Sequence, residues 1–228
     1  MSLPPRPTIV AIPDSDDARL LIALTSHATD LSEASHTLHL ALDAGEDSEL
    51  WLPLTMHAAT AYSRPFAASK VRKRLDTMIQ VPSVPEELKP VHDMVRKYRN
   101  TTVAHSQSDL VLPIALALLD DQGAVRNVVG VTLIHPMPRA VAERLAELVD
   151  AVEVLVDDAI TLVTARLKIE LAKVTPEVVA GWQVPELFAL EDLAYSGGRA
   201  RTDRPQFTAY WRTDVSPIAG SNEKEIPT

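Results

Sequence analysis

Apolar residues recur at steps of four and seven near the start of the chain. The stripe consists of Leu20, Leu24, Leu31, Leu38 and Leu42. This spacing places the stripe on one face of a helix of about 28 residues. Asp14 or Ser15 is suited to cap its start, because their side-chain oxygens accept hydrogen bonds from first-turn N–H groups. Gly45 is typical of a helix end.

A second helix is predicted from about residue 47 to residue 64. Pro53 lies near its start, where a missing N–H group is tolerated, and Pro65 prevents its continuation. Residues 66–75 are rich in Lys and Arg, and we interpret them as a short basic helix.

A third helix follows a rigid connection, the Val-Pro-Ser-Val-Pro sequence at residues 81–85. Pro85 and the two glutamates after it are typical of a helix start, with Ser83 or Val84 near the cap. Apolar side chains then recur on one side of the predicted helix: Leu88, Val91, Val95 and Tyr98.

Residues 111–134 have a different pattern. Residues 111–119 are almost wholly apolar, Asp-Asp-Gln-Gly at residues 120–123 is a turn sequence, and residues 125–134 are rich in Val. This pattern predicts a β-hairpin. A short helix at residues 113–119 is the alternative, because Pro113 is tolerated in a strand only at an edge.

The helical period returns in a long segment from residue 138 to residue 173, and the predicted helix exceeds 45 Å at ~1.5 Å per residue. Short helices are predicted from Pro176, after the cap residue Thr175, and over residues 185–195. We therefore expect a mainly α fold, a bundle of about four main helices with a β-hairpin inserted before the last long helix.

The expected domain organisation follows from these elements. Residues 1–13 form an extended, proline-rich arm, and residues 14–173 form the helical domain with the hairpin at residues 111–134. Short C-terminal helices occupy residues 174–195. The last segment, 196–228, has little periodicity, and we expect it to be a flexible tail.

Composition excludes several function classes. The chain has 228 residues and no Cys, which excludes disulfides, thiol nucleophiles and Cys-based zinc sites. Its length fits one domain with appendages. No apolar run approaches the ~20 residues of a bilayer span, and the first ten residues lack the apolar segment of a secretory signal. We expect a cytoplasmic protein without a membrane partner.

Charge is distributed unevenly along the chain. The net charge is −9, with 22 Lys and Arg against 31 Asp and Glu. Residues 64–105 contain nine basic and four acidic residues, a local charge of +5 that leaves −14 for the remainder. A basic segment within an acidic protein is a candidate anion-binding site, although such segments also occur as ordinary solvated surface.

One sequence pattern suggests a specific chemistry. Arg99 and Asn100 are followed by His105 after a short polar and β-branched run, and Tyr-Ser-Arg-Pro-Phe lies upstream at residues 62–66. Together, in this order on a helical pattern, these motifs resemble the HEPN superfamily, in the branch related to abortive-infection (AbiU-type) proteins. The resemblance covers roughly residues 15–172.

The resemblance implies a HEPN-like helical domain that forms a homodimer and cuts RNA without a metal or a cofactor, in a toxin–antitoxin or phage-defence role. His105 would be the general base or acid, and Arg99 would stabilise the phosphate. Asn100, Arg64 and Arg96 would contribute to substrate binding. The partners implied are RNA and a protein regulator or antitoxin.

Helix geometry constrains this site. Residues six apart lie about 240° from each other around a regular helix, so Arg99 and His105 cannot share one face of it. Either the helix breaks at residues 100–103, whose β-branched residues are poor helix formers, or the site is composite across a two-fold axis.

Other interpretations stay open. The domain is alternatively a non-catalytic interaction or nucleotide- and RNA-binding module of the same fold. Glu33, His36 and His39 form a weaker candidate metal site on the first helix. Basic and aromatic residues of the last segment suggest either stacking on single-stranded RNA or a partner contact: Arg199, Arg201, Arg204, Arg212, Phe207, Tyr210 and Trp211.

Overall fold

The computed structural model describes residues 9–184, 186–188 and 208–210. The helices are α1 (Asp16–Ala44), α2 (Trp51–Ser63), α3 (Lys89–Tyr98), α4 (Arg139–Leu171) and α5 (Pro176–Val179). The strands are β1 (Val111–Leu119), β2 (Val125–Ile134), β3 (Glu186–Phe188) and β4 (Thr208–Tyr210). The predicted mainly helical fold with an antiparallel hairpin is confirmed.

The chain divides into two compact units. One unit is residues 15–170, and the other combines the residues before 15 with those from 171 onward. In the second unit the Ala11 N–H donates to the Gln183 carbonyl at 2.7 Å, and β3 pairs with β4 in parallel. The predicted short helix at Pro176 is confirmed.

Only a few residues of the predicted C-terminal helix and tail lie within the described residues. The helix predicted over residues 185–195 is wrong at residues 186–188, which form β3, and the tail predicted over 196–228 contains β4. A strand at these positions depends on pairing with a distant partner, which periodicity does not reveal. The other parts of both predictions, and residues 1–8 of the predicted arm, lie outside the described residues.

The first helix is fixed at both ends by the predicted residues. Ser15 is the N-cap, and its hydroxyl accepts a hydrogen bond from the Ala18 N–H at 3.1 Å. Gly45 ends the helix with a φ of +83°, a backbone conformation that glycine adopts without steric cost. The first predicted helix is therefore confirmed.

The core of the 15–170 unit lies between α1, α2 and α4. Its buried side chains include Leu24, Leu31, Leu38, Ala58, Ala59, Tyr62, Leu145, Leu148, Val152 and Val156. The Arg166 guanidinium pairs with Asp17 at 2.6 Å, and the Arg139 guanidinium donates to the Leu42 carbonyl at 3.2 Å. These two contacts show that α4 runs antiparallel to α1.

The segment after α2 is not the predicted basic helix. Residues 67–74 lack helix, and only short 3₁₀ turns occur beside them, at Arg64–Phe66 and Leu75–Thr77. The segment instead hydrogen-bonds to α1, with the Lys73 carbonyl accepting from the His27 ring at 3.0 Å. The predicted basic helix is therefore wrong, and the tertiary contacts that hold this segment are not visible in its local sequence.

The second helix also begins later than predicted, because residues 45–50 form turns and α2 starts at Trp51. The Trp51 side chain is buried, and its indole N–H donates to the Met137 carbonyl at 2.7 Å. That buried contact anchors the start of the helix. The third helix is confirmed, since a 3₁₀ turn at Glu86–Leu88 leads into α3 with Val91 and Val95 buried.

The hairpin is confirmed, and its alternative, a helix at residues 113–119, is wrong. The Asp120 carboxylate accepts from the N–H groups of Gln122 and Ala124 at 2.9 Å each, and Gly123 has a φ of +80°. The turn sequence therefore supplies both its hydrogen-bond acceptor and its flexible residue. Among the helices of the described residues, none is long and apolar enough to cross a membrane.

Candidate functional site

The candidate site lies where α3 loses its regular geometry. A π-helical turn, Arg99–Val103, follows the last residue of α3, and the Ala104 N–H donates to the Arg99 carbonyl at 2.9 Å. Ser106 then takes a positive φ of +49°, which ends helical geometry. Of the two alternatives, the change in helix geometry occurs at the predicted residues, as a π turn rather than a break. Turns of this kind are frequent at functional sites.

The π turn is held in place from its inner side. Thr102 is buried, and its hydroxyl is hydrogen-bonded to the Ser108 hydroxyl at 2.7 Å. The Thr101 hydroxyl donates to the Lys97 carbonyl at 2.9 Å. The turn also packs against α2. These contacts fix the backbone of the turn, while Asn100 and the residues after Val103 face solvent.

The predicted catalytic residues are on the outer side of this segment. Arg99 is half-buried and donates through Nη1 to the Asn100 side-chain oxygen at 3.0 Å. His105 is exposed, and in the part of the chain that the structure describes its ring has no hydrogen-bond or ion-pair partner. Arg99 and Asn100 are thus brought together, and His105 lies two residues after the π turn without a hydrogen bond to either.

Arg64 is engaged elsewhere. Its Nη1 atom donates to Glu33 at 2.6 Å and lies 3.4 Å from Asp30, both on α1. Glu33 also accepts a hydrogen bond from His57 at 2.6 Å. Partial burial raises the pKa of Glu33, but the bonds from Arg64 and His57 outweigh it and hold that pKa below its usual value. The predicted role of Arg64 in substrate binding therefore competes with two carboxylates.

The same face of α1 also neutralises the charge of a second arginine, Arg72. Arg72 pairs with Asp30 and donates to the Ser26 side chain at 2.7 Å. Two further basic residues of the segment 64–105 also form ion pairs, Arg74 with Asp76 and Lys89 with Glu86. Four of the nine basic residues of the predicted anion-binding segment are thus neutralised by carboxylates.

Arg96 faces an aromatic cluster. Its Nη1 atom lies 3.4 Å from His92 Nε2, and its guanidinium carbon lies 6.0 Å from the centre of the Phe66 ring. The Tyr62 hydroxyl is hydrogen-bonded to His92 Nδ1 at 2.7 Å. Burial, with the charge of Arg96, lowers the pKa of His92, and burial raises the pKa of the Tyr62 phenol. Both rings are therefore neutral at physiological pH.

A cavity of about 220 Å³ opens beside this cluster. Its lining residues include Phe66, Leu75, Asp76, Val84, Asp93 and Val152. His92 also lines the cavity. The sequence analysis did not identify it as a site residue, because it follows Val91 on the buried side of α3. The one available signal was the spacing of four between His92 and Arg96, which places both on one helix face.

The other candidates of the sequence analysis find no support here. Glu33 is occupied by Arg64 and His57, and the His39 ring is hydrogen-bonded to the Ser35 carbonyl at 2.8 Å. Within the described residues, no group of three or more His, Asp or Glu residues is arranged to hold a metal ion. The basic and aromatic side chains of residues 199–212 lie outside the description.

Comparison of the chain with protein-family models, curated proteins and solved structures finds no match.

Proposed function

We propose that this protein is a HEPN-like, metal-independent endoribonuclease of a toxin–antitoxin or phage-defence system. The observation that carries the proposal is the environment of Arg99. Its partner is the neutral amide of Asn100, so its positive charge remains available to an anion. An exposed imidazole, that of His105, lies two residues after the π turn.

The chemistry assigned to this pair is attack of a ribose 2′-oxygen on the adjacent phosphorus. The 2′-hydroxyl loses its proton to an imidazole base, the P–O5′ bond breaks, and the leaving 5′-oxygen takes a proton from an acid. His has the ordinary pKa best suited to both transfers. The guanidinium of Arg99 stabilises the added negative charge on the phosphate oxygens.

One chain supplies one such imidazole on this turn, whereas the reaction needs a base and an acid. A homodimer with two copies of the turn at a shared cleft provides both, and this is our proposal for the assembly. RNA is the substrate, a protein antitoxin is the regulator, and the cytoplasm is the setting in which both partners occur.

Arg64 and Arg96 have a smaller part in the proposal than the sequence suggested. The carboxylates of Glu33 and Asp30 compensate Arg64, and Arg96 contacts His92 and Phe66. We therefore restrict the phosphate site to Arg99 and Asn100.

A second candidate function is a non-catalytic RNA- or nucleotide-binding module. The observation that favours it is the His105 ring, which lacks an orienting hydrogen bond among the described residues. Catalytic imidazoles are ordinarily held in one tautomer by a neighbouring acceptor. On this alternative Arg99 and Asn100 bind a phosphate, and no bond is cleaved.

The test is cleavage of RNA by the purified protein in EDTA, compared with His105→Ala and with His36→Ala. His36 is a matched control, because it is also exposed but lies on α1. We expect cleavage by the wild type and by His36→Ala, with a loss of at least 10²-fold in His105→Ala.

Cleavage that is equal in all three proteins, or absent from all three, removes the nuclease proposal. RNA binding that survives in His105→Ala and is lost in Arg99→Gln, without cleavage by any form, supports the binding module instead.

A further inference from the structure

The floor of the cavity of about 220 Å³ beside α3 is apolar. Phe66, Leu75 and Val152 line it and are buried, with at most 3% of each residue exposed. The half-buried Val84 and Leu155 extend the same wall toward the solvent. Water in contact with such a wall lacks hydrogen-bond partners on that side, so its displacement by an apolar group is favourable. The floor therefore selects the apolar body of a ligand.

The mouth of the cavity is charged. Asp76, Lys89 and Asp93 belong to the lining and are exposed. Asp76 accepts hydrogen bonds from the Arg74 guanidinium, and Lys89 forms an ion pair with Glu86. Among the residues that the structure describes, the Asp93 carboxylate has no hydrogen-bond or ion-pair partner. Its negative charge is therefore the one at the mouth that is left for the head group of a ligand.

The remaining ring of the lining adds no charge. His92 is hydrogen-bonded to the Tyr62 hydroxyl at 2.7 Å, and its ring lies edge-on to the Phe66 ring with 4.6 Å between the ring centres. Burial and the charge of Arg96 hold the pKa of His92 below its ordinary value, so the ring is neutral at physiological pH. Aromatic rings favour edge-to-face contacts with one another. A ligand with an aromatic ring therefore matches this wall of the cavity.

The volume sets the size of the ligand. An apolar cavity of about 150 Å³ holds one benzene molecule. A cavity of about 220 Å³ therefore accommodates a benzene ring with a short chain. Sites for larger ligands have volumes of about 300–1,000 Å³. A nucleotide is too large for this cavity, and the Asp93 carboxylate at the mouth repels a phosphate.

We propose that this cavity binds a small arylalkylammonium compound, a benzene ring joined by a short chain to a primary ammonium group. The ring occupies the apolar floor, and the ammonium group donates to the Asp93 carboxylate at the mouth. Such a hydrogen bond is strengthened by the charges of both partners. Arg99 and His105 lie outside the lining, so the inference does not depend on the proposed nuclease activity.

The test measures the binding of two compounds of equal size and shape, 2-phenylethylamine and 2-phenylethanol. Their head groups differ, because the first is an ammonium ion and the second is a neutral hydroxyl. The titrations are followed by the methyl resonances of Val84, Val152 and Leu155 in NMR spectra of the full-length chain. We expect both compounds to shift these resonances, with the amine bound about two- to five-fold more tightly, the usual range for a solvent-exposed ion pair.

Asp93→Asn removes the charge and keeps the shape of the side chain. We expect it to reduce the affinity for the amine to that for the alcohol, and to leave the affinity for the alcohol unchanged. The matched control is Asp121→Asn, which changes the net charge equally at an exposed position of the hairpin turn, outside the lining. In this control the amine should bind as it does to the wild type.

A second pair of variants tests the cavity itself. Leu155→Trp places a larger side chain in the lining, whereas Val154→Trp changes the preceding residue of α4, which is 58% exposed and outside the lining. We expect Leu155→Trp to bind neither compound and Val154→Trp to bind both. Far-ultraviolet circular dichroism checks that both variants fold, and the comparison at Asp93 does not require either of them.

Several results would overturn the inference. One is an amine that leaves the cavity resonances unshifted, or that shifts those of the hairpin equally, which means general attraction to an acidic chain. Another is equal affinity of the wild type for the amine and the alcohol, which means that Asp93 does not select a cation. A third is tighter binding of phenylacetate than of the amine, which makes Lys89 the head-group contact. RNA cleavage is measured without these compounds, so failure of the nuclease proposal is read separately.

Discussion

At the scale of single residues, the surroundings of Arg64, Arg96 and Arg99 decide which charge is available. Arg64 meets two carboxylates of α1, Arg96 meets the His92 ring, and Arg99 meets the neutral amide of Asn100. A compensated guanidinium attracts a phosphate weakly, because the two nearby carboxylates repel it. Of the three, Arg64 alone is compensated by carboxylates, whereas Arg96 and Arg99 both keep a whole positive charge, and Arg99 lies beside the solvent-exposed Asn100.

This difference predicts distinct effects of removing each charge. Arg99→Gln is expected to weaken the binding of single-stranded RNA and to reduce the slope of log K against log salt by about 0.7, the value for one lost phosphate contact. Arg64→Gln is the matched control and should leave the slope unchanged. The measurement is fluorescence anisotropy over a salt series, and equal slopes in the two variants contradict the assignment of Arg99.

Asp30 is a buried carboxylate that forms ion pairs with two arginines, Arg64 and Arg72. Asp30→Ala leaves Arg72, which is mostly buried, and Arg64 without this partner. We expect a loss of about 2–3 kcal/mol in the free energy of unfolding, near the lower end for a broken buried pair because Arg64 retains Glu33.

The control for Asp30→Ala is Asp17→Ala, which removes the more exposed ion pair with Arg166. Surface pairs contribute about 0–1 kcal/mol. Urea titration of both variants makes the comparison, and equal losses would show that Asp30 does not organise the segment after α2.

At the scale of elements, the π turn shows how local sequence produces a site. Two threonines and a valine lower the helical preference of residues 101–103, and the buried Thr102 hydroxyl ties the turn to Ser108. The regular α-helix therefore ends after Tyr98, and the π turn leads from the half-buried Arg99 to the exposed His105.

Thr102→Val tests that tie, because it removes the hydroxyl and retains the shape of the side chain. We expect a loss of about 1 kcal/mol in the free energy of unfolding, the usual cost of one hydrogen bond. Amide exchange of residues 104–108 should also become faster. The control is Thr101→Val, whose hydroxyl bonds within its own turn to Lys97, and no such acceleration is expected in it.

The elements differ in how far sequence alone predicts them. α1, α3, α4 and the hairpin were predictable because their signals are local, such as the Ser15 cap, the Gly45 end and the turn at residues 120–123. Residues 66–75 and the start of α2 were not, because tertiary contacts of the Lys73 carbonyl and the Trp51 indole decide them. Sequence also singled out Arg99 and Asn100, whose side chains are hydrogen-bonded to each other, but it did not reveal the pairing of Arg64 with α1.

At the scale of the whole molecule, two buried histidines couple stability to pH. Burial lowers the pKa of His27 and of His92 below 6.5, and the nearby charges of Arg72 and Arg96 add to this effect. The His27 Nε2 atom bonds the Lys73 carbonyl, and its Nδ1 atom is buried without a partner among the described residues. A proton on Nδ1 would therefore have no acceptor.

The sign of the pH dependence follows from these pKa directions. Below about pH 6.5 the unfolded chain takes up a proton on each histidine, whereas the folded chain does not until its own lower pKa is reached. The free energy of unfolding should therefore decrease as the pH falls from 7.5 to 5.5, by at most about 1.4 kcal/mol per pH unit for each histidine.

Urea titrations at several pH values measure this slope. His92→Gln should make it shallower, while His36→Gln, at an exposed position on α1, should leave it as it is in the wild type. A slope that His92→Gln does not alter would show that His92 takes up its proton equally in both states.

The base of the hairpin is closed by its own short contacts. The His135 N–H donates to the Leu110 carbonyl at 2.9 Å, and the Val111 N–H donates to the Ser108 carbonyl at 3.0 Å. The two ends of the hairpin therefore lie next to each other, and a few residues are enough to join them directly. A deletion of residues 111–134 therefore leaves only a short gap to close, so the hairpin can be removed without stretching the chain between the π turn and α4.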